Sequence, residues 1–572
     1  MQTCAVIGCG AAGMATTATL RQNGLLVTCF EIASAPGGIW QSNSRDSFSS
    51  RGLISPIYPT MRCVLPKDLM AFSEVRFDYT VPHFPHHSSV QHYLNQCAER
   101  KGIHGMTRFN TKVESVRFDC RDGMWKLITV NIVNGDVMEY SFDKVCVCTG
   151  QTHEPHYPVG LKELLSDYTR EGGELHHASH VKDFRSLKNK RVVVLGDDVT
   201  AYDYCVELKR FGADVYHSTL FKRPGIAGSA DLDPSATLYQ GFQYNAAAGS
   251  APGSMETSMG RSFWRRFLKS SEGPAPLTKG AIRDVATLVS LLLQRIPGWR
   301  YDVHKANELL QKWMRYRNEH IETIPRVGYP LKTEHKGILW AADPTRQMRH
   351  VEVLEEAEMR RLGRRSRPGP EDEGTFIDNV DVVISATGYK QRFPFLHPSL
   401  RRELEADPSC LLPAPDMTVN SAQGITHNKR GLYLGTIYAE KPSLAFVGMQ
   451  RELLPPFMMF EIQARFIAHA FTERFKLPPT SADMAADEES LLIQNPLLTD
   501  LYNPRGLGLY SATYFNVLQR QLGLGAQETY TSKLFERYRW FLMSSGLRVY
   551  HKFRSMAPLK RKKQHILFSN AI

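Results

Sequence analysis

The stretch that decides the fold is Thr3 to Trp40, TCAVIGCGAAGMATTATLRQNGLLVTCFEIASAPGGIW. Cys4-Ala5-Val6-Ile7 reads as a buried strand, Gly8-Cys9-Gly10-Ala11-Ala12-Gly13 as a turn opening a helix through Leu20, and Leu25 to Phe30 as a second strand ending on Glu31. A strand feeding G-x-G-x-x-G, a helix, and an acid about twenty positions on make up the dinucleotide-binding context. Gly8 permits the tight turn, Gly10 lets the backbone approach a pyrophosphate, and Gly13 lets helix and strand pack closely. Phosphates would sit on the helix N-terminus, where free N–H groups and the positive dipole end meet. Glu31 would accept a ribose 2'-OH and repel a 2'-phosphate, so the site suits FAD or NAD and not NADP.

The chain outward from this stretch has 572 residues, enough for two to four domains. Apolar content of 42% with 22% charged is that of a soluble globular protein. No apolar run approaches a membrane span. The first strand begins almost at the initiator methionine, which leaves no room for a cleaved secretory signal and predicts a cytoplasmic protein. Ten cysteines without C-x-x-C spacing predict buried reduced thiols. Of the net charge of +12, the tail from Lys533 carries +9, ten Lys/Arg against Glu536. The body is close to neutral, and nothing points to nucleic acid. The basic tail 533–563 could touch anionic membrane peripherally, against the alternative of a solvated tail.

Further motifs follow in order. Pro36-Gly37-Gly38-Ile39-Trp40 is a glycine turn with an aromatic able to cover a planar ring, and Tyr58 to Phe72, Phe84-Pro85 and Val90-x-x-Tyr93-Leu94 come next. Val113 to Trp125 reads as a strand pair, and Val145-Cys146-Val147-Cys148-Thr149-Gly150 as a strand and turn. Gly173-x-x-x-His177 precedes a second strand, turn and helix, Arg191 to Ala201. Asp381 to Tyr389 contains A-T-G-Y, and Phe393-Pro394-Phe395-Leu396 follows. Lys441 to Gln450 and a helix around Glu461 to Arg465 close the series.

This order resembles the flavin-containing monooxygenases over residues 4 to 470. The resemblance implies FAD held by Gly8, Gly10, Ala11, Ala12, Gly13, Glu31, Gly38, Ile39, Trp40, Val113, Thr149, Gly150 and Gln450. It implies NADPH held by Gly196, Asp198, Val199, Thr200, Ala386, Thr387, Gly388 and Tyr389, with His177 at a hinge between domains. The implied activity is oxygenation of a soft nucleophile, an amine nitrogen or sulfur, by NADPH and O2 through a C4a-hydroperoxyflavin. No residue is assigned a catalytic role by sequence.

Three departures fall where that chemistry would be done. Asp198, beside Asp197, stands where backbone should approach the second pyrophosphate; a carboxylate about 4 Å from phosphate costs on the order of 4 kcal/mol at an effective dielectric near 20. Leu220 in Ser218-Thr219-Leu220 replaces an arginine that pairs with the 2'-phosphate, with Lys222 and Arg223 nearby. Val64 replaces the asparagine that helps hold the oxygen adduct, and Cys63 the adjoining threonine. Loss of that amide favours release of peroxide. Two alternatives therefore stand beside the monooxygenase: an uncoupled NADPH oxidase or other flavin oxidase, and a non-catalytic FAD-binding scaffold.

The histidine groups His83, His86, His87, His92 and His176, His177, His180 lack the convergent partners of a metal site, and no metal is expected. Cys9 lies at a helix N-terminus, which lowers a thiol pKa, but a packing role is favoured. The predicted fold is α/β, with two Rossmann-like dinucleotide-binding domains. The FAD domain comprises 1–156 and 389–475. An NADP-type domain is inserted at 157–388, with mobile loops at 225–276 and 360–373. Residues 476–572 form a helical C-terminal extension.

Overall fold

The computed structural model describes residues 1–41, 55–196, 199–218, 324–340, 375–404, 431–449, 456–494, 498 and 511–523, apart from 64, 66, 83, 153, 159, 328, 329 and 335. The proposed insertions 225–276 and 360–373 and the basic tail 533–563 lie outside them.

Strand β1 (Thr3–Ile7) pairs in parallel with β2 (Leu26–Phe30), running from Thr3 opposite Leu26 to Ile7 opposite Phe30. Its apolar residues are buried because sheet neighbours flank it and helices cover it, the burial expected of a central parallel strand. Helix α1 (Ala11–Gln22) connects the two. Its small residues, from Ala11 to Ala18, are buried almost all round, which lets it approach the sheet closely.

Three strands next to β2 differ in kind. After β3 (Thr107–Arg108), β4 (Thr111–Asp119), β5 (Met124–Asn131) and β6 (Val137–Phe142) form an antiparallel sheet. Buried and exposed residues alternate along β4, because one face packs on the core and the other meets water. Trp125 is wholly buried, and its indole N–H donates to Ser443 Oγ at 3.0 Å.

The chain then returns through β7 (Lys144–Val147), parallel to β1 on the side opposite β2. It leaves this sheet along β8 (Glu154–Pro155), adds β9 (Glu174–His177) to a second sheet and enters that sheet's centre as β10 (Arg191–Leu195). β11 (Asp214–Ser218), β12 (Arg326–Val327) and β16 (Val382–Ser385) complete five parallel strands in the order β12-β11-β10-β16-β9. Between them β13 (Pro330–Glu334), β14 (Gly337–Trp340) and β15 (Thr375–Ile377) form an antiparallel sheet of their own. Strand β17 (Tyr389–Lys390) brings the chain back, antiparallel to β8 with Tyr389 opposite Pro155. Outgoing and returning chain thus pair where they cross between the sheets. β18 (Leu432–Tyr433), β19 (Ile437–Tyr438) and β20 (Leu444–Phe446) then complete a seven-stranded first sheet, ordered β18-β19-β20-β7-β1-β2-β3.

Long helices pack on these sheets: α2 (His87–Arg100), α3 (Val199–Arg210), α4 (Pro456–Phe471), α5 (Ser481–Gln494) and α6 (Ser511–Gln521). Met484 and Leu492 of α5 and Tyr514 and Leu518 of α6 enter the same apolar core as Cys4 and Ala15. Polar bonds fix them there. Gln463 Oε1 accepts from Gly448 N (3.0 Å) and its amide nitrogen donates to Tyr514 Oη (3.3 Å), whose hydroxyl donates to Leu434 O (2.7 Å). Glu488 accepts from Leu434 N at 2.8 Å. The first half of the C-terminal extension is therefore joined to the strand end that leads into Met449.

Replacing Gln463 with Leu removes the acceptor of the buried Gly448 amide, at a cost of roughly 1 to 3 kcal/mol, and the donor to the Tyr514 hydroxyl, which keeps its bond to Leu434 O. The Gln463→Leu variant is expected to unfold at a clearly lower urea concentration. An unchanged midpoint would reject this network as a support of the first domain.

Candidate functional site: two glycine turns

Each of the two sheets carries a glycine turn at the C-terminal end of an interior strand with a parallel neighbour on either side, β1 in the first and β10 in the second, and the two turns share the same bonds. Gly8 N donates to Phe30 O at 2.8 Å, and Gly196 N to Ser218 O at 3.0 Å. Cys148 N donates to Ile7 O (2.8 Å), and Ala386 N to Leu195 O (2.7 Å). Gly8 (φ +97°) and Gly196 (φ +139°) have positive φ, and a Cβ on either would lie 2.7 Å from Cys148 O or 2.5 Å from Ala386 O. A side chain is excluded twice, by conformation and by the neighbouring carbonyl.

The remaining glycines of the first turn have different reasons. A Cβ at Gly13 would fall 1.9 Å from Gly8 O, so close helix–turn packing requires glycine. At Gly10 a Cβ would meet only Gly38, no nearer than 3.6 Å. Among the described residues nothing forbids a side chain at Gly10. Its bareness, opposite the equally bare Gly38, leaves an open cradle at the start of α1. That helix has no side-chain cap and no acid in its first turn, so the N–H groups at Ala11, Ala12 and Gly13 face a position that an anion would satisfy.

Glu31 closes the rim. It is 6% exposed, and its carboxylate accepts from Cys9 N (2.6 Å) and Ala33 N (2.8 Å). Those two bonds aim an anionic group at the mouth of the glycine turn, suited to ribose hydroxyls and hostile to a 2'-phosphate. These residues fit FAD.

Around this cradle, Gly38–Trp40 form a short 3-10 turn in which Ile39 is exposed and Trp40 half-buried against the first core. Val113 is buried beside a register shift in β4. Thr149 and Gly150 (φ +84°) form the turn after β7. Gln450, Val64, Asp197, Asp198 and Leu220 lie outside the described residues. Cys63 is buried, and its N–H donates to Pro85 O at 2.9 Å. A shared hydrogen bond with Cys29 and burial push the Cys9 thiol up, so Cys9 packs and the helix end does not activate it.

In the second turn the described part consists of Gly196, Val199 and Thr200 at the start of α3, with Thr200 exposed. Ala386 is buried. Thr387 Oγ1 donates to His156 O at 2.5 Å and lies 2.7 Å from Ser385 Oγ. Gly388 O receives His156 N (3.0 Å) and lies 2.9 Å from His177 Nε2. Tyr389 lies beside His177, ring centroids 5.0 Å apart, and burial raises its hydroxyl pKa to about 12. His217, which the sequence reading did not single out, lies 2.6 Å through Nε2 from Gly196 O and stacks edgewise on Tyr202. A histidine in a buried strand gives no signal of such a role. His177 itself is 1% exposed, and burial holds its pKa down to about 4.

Fold and site together define a flavoprotein oxidoreductase with paired dinucleotide-binding sheets. The family described as flavin-binding monooxygenase-like matches residues 1–225. Human flavin-containing monooxygenase 2 is 25% identical over 541 residues, covering 93% of this chain and 84% of its own length. Macaque dimethylaniline monooxygenase [N-oxide-forming] 2 has the same identity and coverage. In fold, the chain resembles S-allyl-L-cysteine S-oxygenase from Allium sativum (TM-score 0.56, 19% identity, 94% of this chain and 92% of that one). It also resembles Tmm from Pelagibacter (TM-score 0.53, 19% identity, 91% and 89%). The chain is similar to the flavin-containing monooxygenases over most of its length, and by class it is an FAD- and NADPH-dependent monooxygenase. Among the described residues, no helix is long and apolar enough to cross a membrane.

The two glycines of the first turn should fail differently. Gly13→Ala forces the turn open and is expected to give poorly folded protein. Gly10→Ala should leave the apoprotein melting within about 2 °C of wild type while FAD affinity, measured by flavin fluorescence, falls at least about tenfold. Equal FAD affinity in Gly10→Ala and wild type would remove Gly10 from the cofactor site.

His177 makes stability depend on acidity. Its folded pKa of about 4 lies below the ordinary value of 6.5, so the unfolded chain binds the proton first. Stability is full above pH 6.5 and declines as pH falls toward 4, by up to roughly 3 kcal/mol from this residue. Urea midpoints at pH 7 and 5 should differ less in His177→Gln than in wild type. An equal pH dependence would contradict the assignment.

Proposed function

We propose that the protein uses FAD, NADPH and O2 to oxygenate a soft nucleophile, an amine nitrogen or sulfur, in a small molecule. The observation that carries this reading is the repeated turn geometry: Gly8 beneath Cys148 O and Gly196 beneath Ala386 O. Each sheet carries one such glycine turn, in a chain similar to flavin monooxygenases, which supports one dinucleotide on each.

Bound flavin supplies hydride acceptance and oxygen activation. The protein's own groups bind and orient. In this reading Gly10, Ala11, Ala12, Gly13 and Gly38 cradle the FAD pyrophosphate and Glu31 its ribose, with Trp40, Thr149, Gly150 and Gln450 completing the site. Gly196, Val199, Thr200 and Ala386 to Tyr389 face the nicotinamide nucleotide. The division into 1–156 with 389–475, and 157–388, follows the two turns.

A second reading, an oxidase that releases peroxide, is favoured by Val64 and Cys63, which offer neither amide nor hydroxyl at the positions where the family places asparagine and threonine. Oxidation of NADPH under labelled dioxygen, with amines and sulfides as acceptors, separates the readings. Expected is product carrying one labelled oxygen, with NADPH preferred over NADH. Reduction of one O2 to peroxide for each NADPH oxidised, with every acceptor, would establish the oxidase, and flavin that neither NADPH nor NADH bleaches would leave only a scaffold. Val64→Asn is expected to raise the product formed per NADPH several-fold, since it returns the amide donor that the resemblance assigns to this position.

A further inference from the structure

One short segment, Ser55 to Cys63, is held by both nucleotide-binding halves. At one end Tyr58 leaves its own half. It is 3% exposed and lies in the core of the second sheet, its ring 5.2 Å from both Phe184 and Tyr204 at near right angles. The Tyr58 hydroxyl donates to Asp203 Oδ2 at 2.5 Å. Lys182 Nζ donates to the carbonyls of Ser55 (2.5 Å) and Ile57 (2.8 Å). At the other end the segment belongs to the first half. His86 Nε2 lies 2.8 Å from Pro59 O, His87 N donates to Met61 O (3.1 Å) and Cys63 N to Pro85 O (2.9 Å).

The placement of Asp203 gives this strap its meaning. It lies on α3, whose first residue, Val199, follows the second glycine turn. Asp203 is 5% exposed, and a carboxylate so buried is costly to leave without its hydroxyl donor. A shift of α3 therefore either breaks the Tyr58 bond or carries the strap along. At the strap's far end is Cys63, next to the position where a missing amide distinguishes this chain.

We propose that Tyr58, Asp203 and Lys182 are positioning residues that couple the nucleotide turn opening α3 to the Ser55–Cys63 strap, so that binding of a nicotinamide nucleotide tightens the strap. The coupling rests on the proposed use of NADPH. By linkage it is reciprocal: whatever loosens the strap weakens the nucleotide by the same factor.

The exposed Arg62 supplies a readout independent of turnover, because trypsin cuts the Arg62–Cys63 bond only when the strap opens. The holoenzyme is digested with and without NADP+, and NADP+ affinity is measured by equilibrium titration. In wild type, NADP+ is expected to slow cleavage at Arg62 by about fivefold or more, in the range of ordinary coupling. Tyr58→Phe keeps the ring and loses the hydroxyl. It should retain FAD, lose most of the protection and bind NADP+ several-fold more weakly. Asp203→Asn keeps an acceptor for Tyr58 and should restore protection that Asp203→Leu lacks, which simple destabilisation would not distinguish. Protection equal to wild type in Tyr58→Phe overturns the proposal. If NADP+ binds wild type without slowing cleavage, the coupling falls while NADPH use stands. If NADP+ does not bind at all, the NADPH reading falls and the coupling with it.

Discussion

Two carbonyl oxygens set the terms for the rest of this structure. Cys148 O and Ala386 O each lie over the first residue of a glycine turn, closer than any Cβ tolerates. The residue beneath must be glycine, and positive φ at that glycine sends the chain sharply from strand into helix. The strand that supplies each carbonyl comes from far along the sequence: β7 for the first turn, β16 for the second. Neither turn is complete until a distant strand has docked beside it. Cofactor geometry in this fold is thus a consequence of long-range parallel pairing, whose ordering cost is met by burying apolar strands such as Arg191–Leu195 between covered faces.

This dependence explains what sequence revealed. Gly8, Gly10, Gly13 and Glu31 were legible because their spacing is local and each type has its own steric or electrostatic reason. The A-T-G-Y return was legible as a motif, but its pairing with β10 was not, since spacing says nothing about which strand covers which glycine. His217 and Tyr58 left no local mark: one is a polar residue in a buried strand, the other a tyrosine in a loop, and their partners are 21 and 145 residues away. Cys9 shows the opposite limit. Its position at a helix end argued for a lowered thiol pKa and the sequence nonetheless favoured packing; the bond to Cys29 and burial raise the thiol, in keeping with packing.

The C-terminal helices were also illegible as part of the first domain. Their amphipathic pattern shows a face to bury but not the surface it buries against. Gln463, wholly buried, is the informative residue, since a buried amide must be satisfied, and its partners lie on the strand end at Gly448 and on α6. The support runs from α6 through Gln463 to the strand end beside the first turn. A Cβ built on Gly448 would lie 3.4 Å from the Ala12 methyl, so this strand end lies beside the start of α1.

The two turns, alike in their first glycine, differ in their third. Gly13 admits no methyl group, because Gly8 O would lie 1.9 Å away. The corresponding residue of the second turn is Ala201, whose methyl is 3.3 Å from a Cβ built on Gly196. Helix α3 therefore stands further from its turn than α1 does. The first helix packs between the sheet and α4; the second has an exposed threonine in its first turn and is tied to the other half through Asp203. A closely packed, enclosed turn suits a group that stays bound through many turnovers, since releasing it requires opening a core. A turn with a wider-set helix would suit, in the proposed function, a nucleotide that arrives and leaves each cycle, and the same freedom makes a strap between the halves useful. One methyl group at position 201 is consistent with that division of labour between resident and exchanging cofactors.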